Sequence, residues 1–232
     1  MPAPPYVNFL GGRERVSQDA YPDIKQYFQD LAAVYREEIA ELAKCGCRYV
    51  QLNEVPLAMM GDPRVKDTIR SLGEDPDLLL DSYIEVVGEA VRDKPATMLV
   101  AMHLCRGNYK GRWLASGGYD RVAERVFNID GIDVFLMEYD SPRAGDFSPL
   151  CHLPNGKVVV LGLISSKTAT LEDKAHVRRR IDQAAKVVPL DQLGVGPQCG
   201  FATNLTGNPL TEADERAKLK LVVEIAREVW AD

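Results

Sequence analysis

Five apolar runs of strand length recur along this 232-residue chain, and the segments between them repeat their apolar positions every three or four residues. The runs are YVQLNEVPL, TMLVAMHLC, DVFLMEYD, VVVLGLIS and LGVGPQCG, with PPYVNFLGG as a candidate sixth. They are nearly continuous rather than alternating, as strands buried on both faces are, and strands interleaved with helices pair in parallel. The expectation is one α/β domain over residues 1–232 with a parallel sheet covered on both sides.

The helical segments are equally legible. Ile24, Phe28, Leu31, Val34, Tyr35, Ile39 and Leu42 give an amphipathic helix over 21–44 that Gly46 stops. DPRVKDTIRSLG and DPDLLLDSYIEVVGEAVRDKP form a helical hairpin broken at Gly73 and Pro76, and residues 119–127 form a short helix. A crossover helix carries Leu171, Ala175, Val177, Ile181, Ala184 and Val188. The last helix runs from about Thr211 to Trp230, with Thr211 and Asp214 at capping-box spacing.

Polar residues gather just after the apolar runs, at the carboxyl ends where parallel α/β folds place their chemistry. His103, Cys105, Glu138 and Cys199 each stand at the end of such a run. His103 and Cys105 are two apart and so share one face of a strand. Imidazole, thiolate and carboxylate are donors that zinc accepts, and a set containing an exchangeable carboxylate suits a reactive site more than a structural one. Taken singly, each residue is also explained by a core position, because free cysteine packs as a small hydrophobe.

Other chemistries are excluded or left without support. A net charge of −6 and the lack of a Lys/Arg run with interleaved aromatics argue against nucleic acid as a partner. There is no G-x-G-x-x-G opening a helix after a strand, no phosphate-binding loop and no G-x-S-x-G elbow. Five cysteines, an odd number, fit a reducing compartment, and with no stretch of transmembrane length the chain is expected to be cytoplasmic and not bound to membrane. Cys45 and Cys47 flank Gly46 where a helix ends, which reads as a capping turn. Cys151 also reads as structural.

In the order HLC, MEYD, PQCGF, these motifs resemble the zinc-binding barrel domain of the cobalamin-independent methionine synthase family, and most of all its shorter single-barrel relatives. The resemblance implies a (β/α)8 TIM barrel, a zinc ion held by His103, Cys105, Glu138 and Cys199, and methyl transfer from a methylated folate to a thiol such as homocysteine. It also places Asn53, Glu54, Arg106, Asn108, Tyr139 and Arg143 around the substrates, with Tyr109 and Asp140 beside them at the mouth. Two alternatives share part of this chemistry. One adds a thiol cofactor to an epoxide; the other is a non-catalytic zinc-binding subunit.

Three departures from the family pattern matter. The strand of YVQLNEVPL ends Asn53-Glu54 where the family has Asp-Glu, the Asp contacting the substrate amino group. Where the family has a proton-donating His, this chain has Ser165, Ser166 and Lys167, which makes Lys167 the candidate catalytic residue. Counting back from Cys199 gives five or six strands of the family's eight. The barrel is therefore expected to lack about its first two strands, to be N-terminally incomplete, and to self-associate or bind a companion chain that supplies them.

Overall fold

The structure, a computed structural model, describes residues 1–230, Val7 and Leu10 by backbone alone. Strands β1 (Tyr49–Asn53), β2 (Leu99–Leu104), β3 (Val134–Glu138), β4 (Val158–Ile164) and β5 (Leu193–Pro197) form one sheet, all parallel and in sequential order. Helices α1 (Tyr6–Gly11) and α2 (Ile24–Lys44) precede β1. Helices α3 (Val55–Met59), α4 (Pro63–Ser71) and α5 (Pro76–Val91) separate β1 from β2. Helix α6 (Ala123–Phe127) precedes β3, α7 (Lys174–Ala184) lies between β4 and β5, and α8 (Glu212–Trp230) closes the order.

Register decides which side chains meet. One row across the sheet is Leu52, Met102, Phe135, Val159 and Leu193. All five are buried in the main core with residues of α2, α5, α7 and α8. The next row, Asn53, His103, Leu136, Val160 and Gly194, points the other way because strand side chains alternate. On that opposite face Tyr49 and Leu99 are about half exposed, at 49% and 52%. The expected cover on both faces is thus complete on one only; on the other, Ala101, His103 and Glu138 are buried and α1 and α3 pack against Cys105, while Tyr49 and Leu99 stay half exposed. Sequential parallel strands joined by right-handed crossovers put their long crossover helices on one side of the sheet.

Two local expectations are corrected. YVNFLG is helix α1 rather than a strand, because Pro5 already sits at helical φ and ψ (−68°, −11°) and two prolines supply no N–H to a ladder. The segment that does run beside β1 is residues 1–3, where the Asn53 N–H donates to the Met1 carbonyl at 2.8 Å and the Ala3 N–H to the Asn53 carbonyl at 3.3 Å. The run YVQLNEVPL divides at Glu54, whose carboxylate accepts from the Leu57 N–H at 3.0 Å and so caps α3, with Pro56 in its first turn.

The hairpin of α4 and α5 forms as expected, each helix N-capped by an aspartate, Asp62 and Asp75, followed by proline. Cys45 and Cys47 close α2 through a Schellman turn: Gly46, at φ +90°, donates to the Ala43 carbonyl, and the Cys47 N–H reaches the Leu42 carbonyl, both at 3.0 Å. The capping box of α8 is present, with the Thr211 N–H donating to Asp214 at 2.8 Å and the Asp214 N–H to the Thr211 hydroxyl at 3.2 Å. The helix expected over 119–127 begins only at Ala123. Among the described residues no helix is long and apolar enough to cross a membrane.

Candidate metal centre

His103 is the last residue of β2 on the face away from the main core, Cys105 follows two residues later on the same face, and Cys199 stands on the turn beyond β5. Their ligand atoms lie within 4.8 Å of one another. His103 and Cys105 are 6% and 2% exposed, and Nε2 of His103 is buried without a hydrogen-bond partner. One imidazole and two thiols converge, His103 and Cys105 buried and Cys199 half-buried, and with an orphaned imidazole nitrogen they fit a zinc ion.

The thiols are electrostatically distinct. Cys199 is pulled down to about 4, chiefly by the thiol of Cys105 donating to it; burial opposes this, and His103 and Asn108 add to it. The Cys105 thiol is pushed up by that same bond, by burial, and by the negative charges of Cys199 and Glu138.

Glu138, the last residue of β3, is fully buried on the same face. It is not among the three whose ligand atoms cluster. Its Oε2 accepts from the Arg106 N–H at 2.9 Å and from Nε2 of Gln198 at 3.0 Å. Its Oε1 pairs with Arg143 and lies 3.9 Å from Nζ of Lys167. Burial raises its pKa, but the charge of Lys167, the bond and charge of Arg143 and the Arg106 N–H together outweigh that, so it is held ionised below the usual carboxylate range.

Gly162 lies opposite Glu138 on β4, and a Cβ there would come within 2.7 Å of the Met137 carbonyl and 2.8 Å of Cα of Gln198. Glycine is what lets the Gln198 turn close over the carboxylate.

Lys167 is 4% exposed rather than a solvated loop residue. Asn108 bridges two loops, its Nδ2 donating to the Gly200 carbonyl at 3.2 Å and lying 3.4 Å from the Ser166 hydroxyl. Arg143 also pairs with Asp140 at 3.3 Å and stacks 4.3 Å from the centre of the Trp113 ring. Burial raises the pKa of Asp140, against the opposing effects of Ser165 and Lys167. Asn53 is exposed at the end of β1, in register with His103. Glu54 is fully buried and its pKa rises to about 8 from burial, with Oε2 left without a partner.

Two residues expected at a solvated mouth lie elsewhere. Arg106 is 1% exposed, with Nε donating to the Gly117 carbonyl at 2.6 Å and its guanidinium 4.1 Å from the centre of the Tyr119 ring. Tyr139 is fully buried between Tyr119 and Phe147. Both follow a residue of the ligand face by one, so strand alternation turns them away from it. That signal was in the sequence.

Gln198, Trp113 and Tyr6 also reach the site, against Glu138, Arg143 and Cys105 respectively, and are not among the residues expected from the sequence. Tyr6 packs on the small apolar cluster of Val55, Met59, Cys105 and Ala115 that also touches Cys199. Only Gln198, beside Cys199 in PQCG, carried a local hint.

A protein-family model described as "Cobalamin-independent synthase, Catalytic domain" matches residues 15–228. The chain is 40% identical to the uncharacterized protein YxjH of Bacillus subtilis (strain 168) over 227 residues, 97% of this chain and 60% of that protein. It is 25% identical over 181 residues to a methionine synthase of Pyrococcus abyssi, 78% of this chain and 45% of that one. The fold matches a B12-independent methionine synthase from Shewanella sp. W3-18-1, solved in complex with selenomethionine, with a TM-score of 0.70 at 22% identity over 99% of this chain and 60% of that one. A candidate vitamin-B12 independent methionine synthase from Listeria monocytogenes gives 0.76 at 31% identity, over 100% of this chain and 63% of that one. The chain thus spans about 60% of the length of the Bacillus relative.

Proposed function

Because the chain belongs to the cobalamin-independent methionine synthase family, we propose that it is a zinc-dependent methyltransferase component that alkylates a thiol such as homocysteine, with a methylated folate as donor. The observation that carries this reading is the convergence of His103, Cys105 and Cys199, with Nε2 of His103 lacking any other partner. These three would hold the metal, with Glu138 beside Cys105 as the candidate fourth ligand. When bound, zinc supplies Lewis acidity that keeps a substrate thiol deprotonated yet nucleophilic at neutral pH.

The chain's own groups do the rest. Asn108 donates to Cys199 and fixes its orientation. Arg143 and Lys167 balance the charge of Glu138 in a pocket from which water is largely excluded. Tyr6, Val55, Met59 and Ala115 form the apolar wall against the sulfurs. In the reaction an S–CH3 bond forms as the donor's N–CH3 bond breaks, and the donor nitrogen gains the proton that the thiol gives up.

We read the five strands as consecutive members of a (β/α)8 barrel. The half-exposed Tyr49 and Leu99 on the face away from the helices support a second reading, in which further polypeptide like that of the longer relatives covers this face. The chain would then be a zinc-binding subunit active only in the assembled barrel. The test is metal-loaded protein supplied with homocysteine and methylated folate, with methionine read by chromatography. Metal-dependent methionine that disappears in Cys199→Ser supports the first reading; bound zinc without transfer supports the second.

A further inference from the structure

We propose that the buried pair Arg106 and Tyr139, on the opposite face of β2 and β3 from the metal centre, binds a monoanion of halide size; this stands whatever thiol the protein alkylates. The first observation is an exception among the buried cations of the described residues. Lys66 lies 2.6 Å from Asp77, Lys218 2.9 Å from Glu172 and Lys167 3.9 Å from Glu138. Arg106, 1% exposed, has no carboxylate partner among the described residues. Neutral groups hold its guanidinium instead. Nε donates to the Gly117 carbonyl at 2.6 Å, Nη2 lies 3.4 Å from the Ala144 carbonyl, and the Tyr119 ring is 4.1 Å away, while Nη1 is buried without a partner. Carbonyls satisfy protons but leave the charge, and a buried charge without a counter-ion is costly.

The second observation comes from the neighbouring strand. Leu104 and Met137 are register partners, so Arg106 and Tyr139, two residues beyond each, leave β2 and β3 side by side and toward the main core. Tyr139 is fully buried and its hydroxyl has no partner. Both side chains rest on Tyr119, whose ring centre is 5.5 Å from that of Tyr139. Two unmet donors from adjacent strands, one of them cationic, call for an acceptor that carries negative charge. A water molecule would accept both protons and leave the charge where it is.

The surroundings set the size of that acceptor. The Gly117 N–H donates to the Arg143 carbonyl at 3.0 Å, and Gly145, at φ +79°, packs so closely that a Cβ there would come within 2.7 Å of Cα of Gly118. The two loops that receive Arg106 are thus locked together over it, which admits an ion of one atom and turns away a bulky one. Beyond Tyr139 the aromatic column continues to Phe147, 4.8 Å between ring centres, and ends at the guanidinium of the half-buried Arg180, 4.6 Å from the Phe147 ring. Arg180 also has no carboxylate partner among the described residues, so positive charge stands at both ends of the column. The carboxylates of Asp120 and Asp146, whose charges reach Tyr139, are exposed and engage Ser148.

The experiment follows thermal unfolding of the full chain at constant ionic strength as sodium gluconate is replaced stepwise by sodium chloride. The midpoint should rise saturably, by about 5–10 °C at about a hundredfold excess over Kd, and bromide should act as chloride does. Tyr139→Phe keeps the ring stack and removes one donor, so it should weaken chloride affinity about tenfold. Arg106→Met should remove the response; if that variant does not fold, Tyr139→Phe carries the test. Crystals soaked in bromide should show an anomalous peak between Nη1 of Arg106 and the Tyr139 hydroxyl. A native protein indifferent to chloride holds water alone at this place, and the proposal fails. A chloride response of the same size in Tyr139→Phe overturns it as well, as do bromide peaks confined to the surface, which mark an adventitious ion only.

Discussion

The hydroxyl of Tyr119 accepts the backbone N–H of Glu138 at 2.9 Å. It also donates to the Leu104 carbonyl at 2.6 Å, so one buried oxygen joins the ends of β2 and β3 where Cys105 and the carboxylate diverge into loops. Parallel strands lose their ladder where they end, and here a side chain from the following loop continues it. Tyr119→Phe leaves a buried N–H and a buried carbonyl unmet, and should cost about 1–3 kcal/mol in urea unfolding. A variant within about 0.5 kcal/mol of the native protein would show that the strand ends hold their spacing without it.

Cys105→Ser and Cys199→Ser should each remove most of the bound zinc, because a hard hydroxyl replaces a soft thiolate. Cys45→Ser and Cys47→Ser should leave metal content as it is, since those residues only flank the Schellman turn at Gly46. Metal analysis after purification without chelators reads both halves. A metal loss in the second pair would place the binding site at the wrong end of β1.

The strands were legible because each is a nearly continuous apolar run, and His103 with Cys105 because a two-residue spacing fixes one strand face. Residues 1–3 and α1 were not, since PPYVNFLGG has the aromatic and β-branched content of a strand and only the backbone of Pro5 decides against it. The polar web around Glu138 was legible only in part. Arg143 and Lys167 lie on separate loops, and their meeting over one carboxylate depends on how β3 and β4 are aligned. No periodicity encodes that. Arg106 and Tyr139 turn from the ligand face by the same alternation that brings Cys105 and Glu138 to it.

Asp62 makes stability sensitive to acid. Its carboxylate caps α4 and accepts from the Ser116 N–H at 2.8 Å; the bond from the Arg64 side chain is the largest cause that lowers its pKa from 3.8 to about 2, against burial. A carboxylate with a depressed folded pKa gives stability that is fully present above its unfolded value near 3.8 and is lost as pH falls through about 2. The contribution is about 2 kcal/mol at neutral pH. Asp62→Asn should be less stable than the native protein by roughly that amount at neutral pH, and the gap should narrow as pH falls below the unfolded value. A gap independent of pH would mean that the amide loses packing rather than charge.

Asn53 stands in register with His103 at the exposed end of β1, so its side chain has solvent on one side and the ligand face on the other. Asn53→Asp should strengthen binding of homocysteine relative to a thiol that lacks the amino group, because a charge-assisted hydrogen bond to ammonium is about twice as strong as a neutral one. Competition binding with the two thiols measures this. Equal responses would remove Asn53 from substrate recognition.

Tyr49 and Leu99 are register partners at the start of β1 and β2, and both point away from the helices, with about half of each side chain in water. Leu136 and Val160 continue that face half-buried. A closed barrel fills such a face with side chains from its other strands, and an uncovered one leaves adjacent apolar rows in water. The second reading of the function therefore predicts association: light scattering across a concentration series should give a mass above that of one chain, or a complex with polypeptide equivalent to the remainder of the longer relatives. Leu99→Lys places an ammonium group in that contact and should weaken the association, while zinc content, set by residues at the opposite ends of the strands, stays the same. A concentration-independent monomer that transfers methyl groups at full rate would show that this face needs no cover.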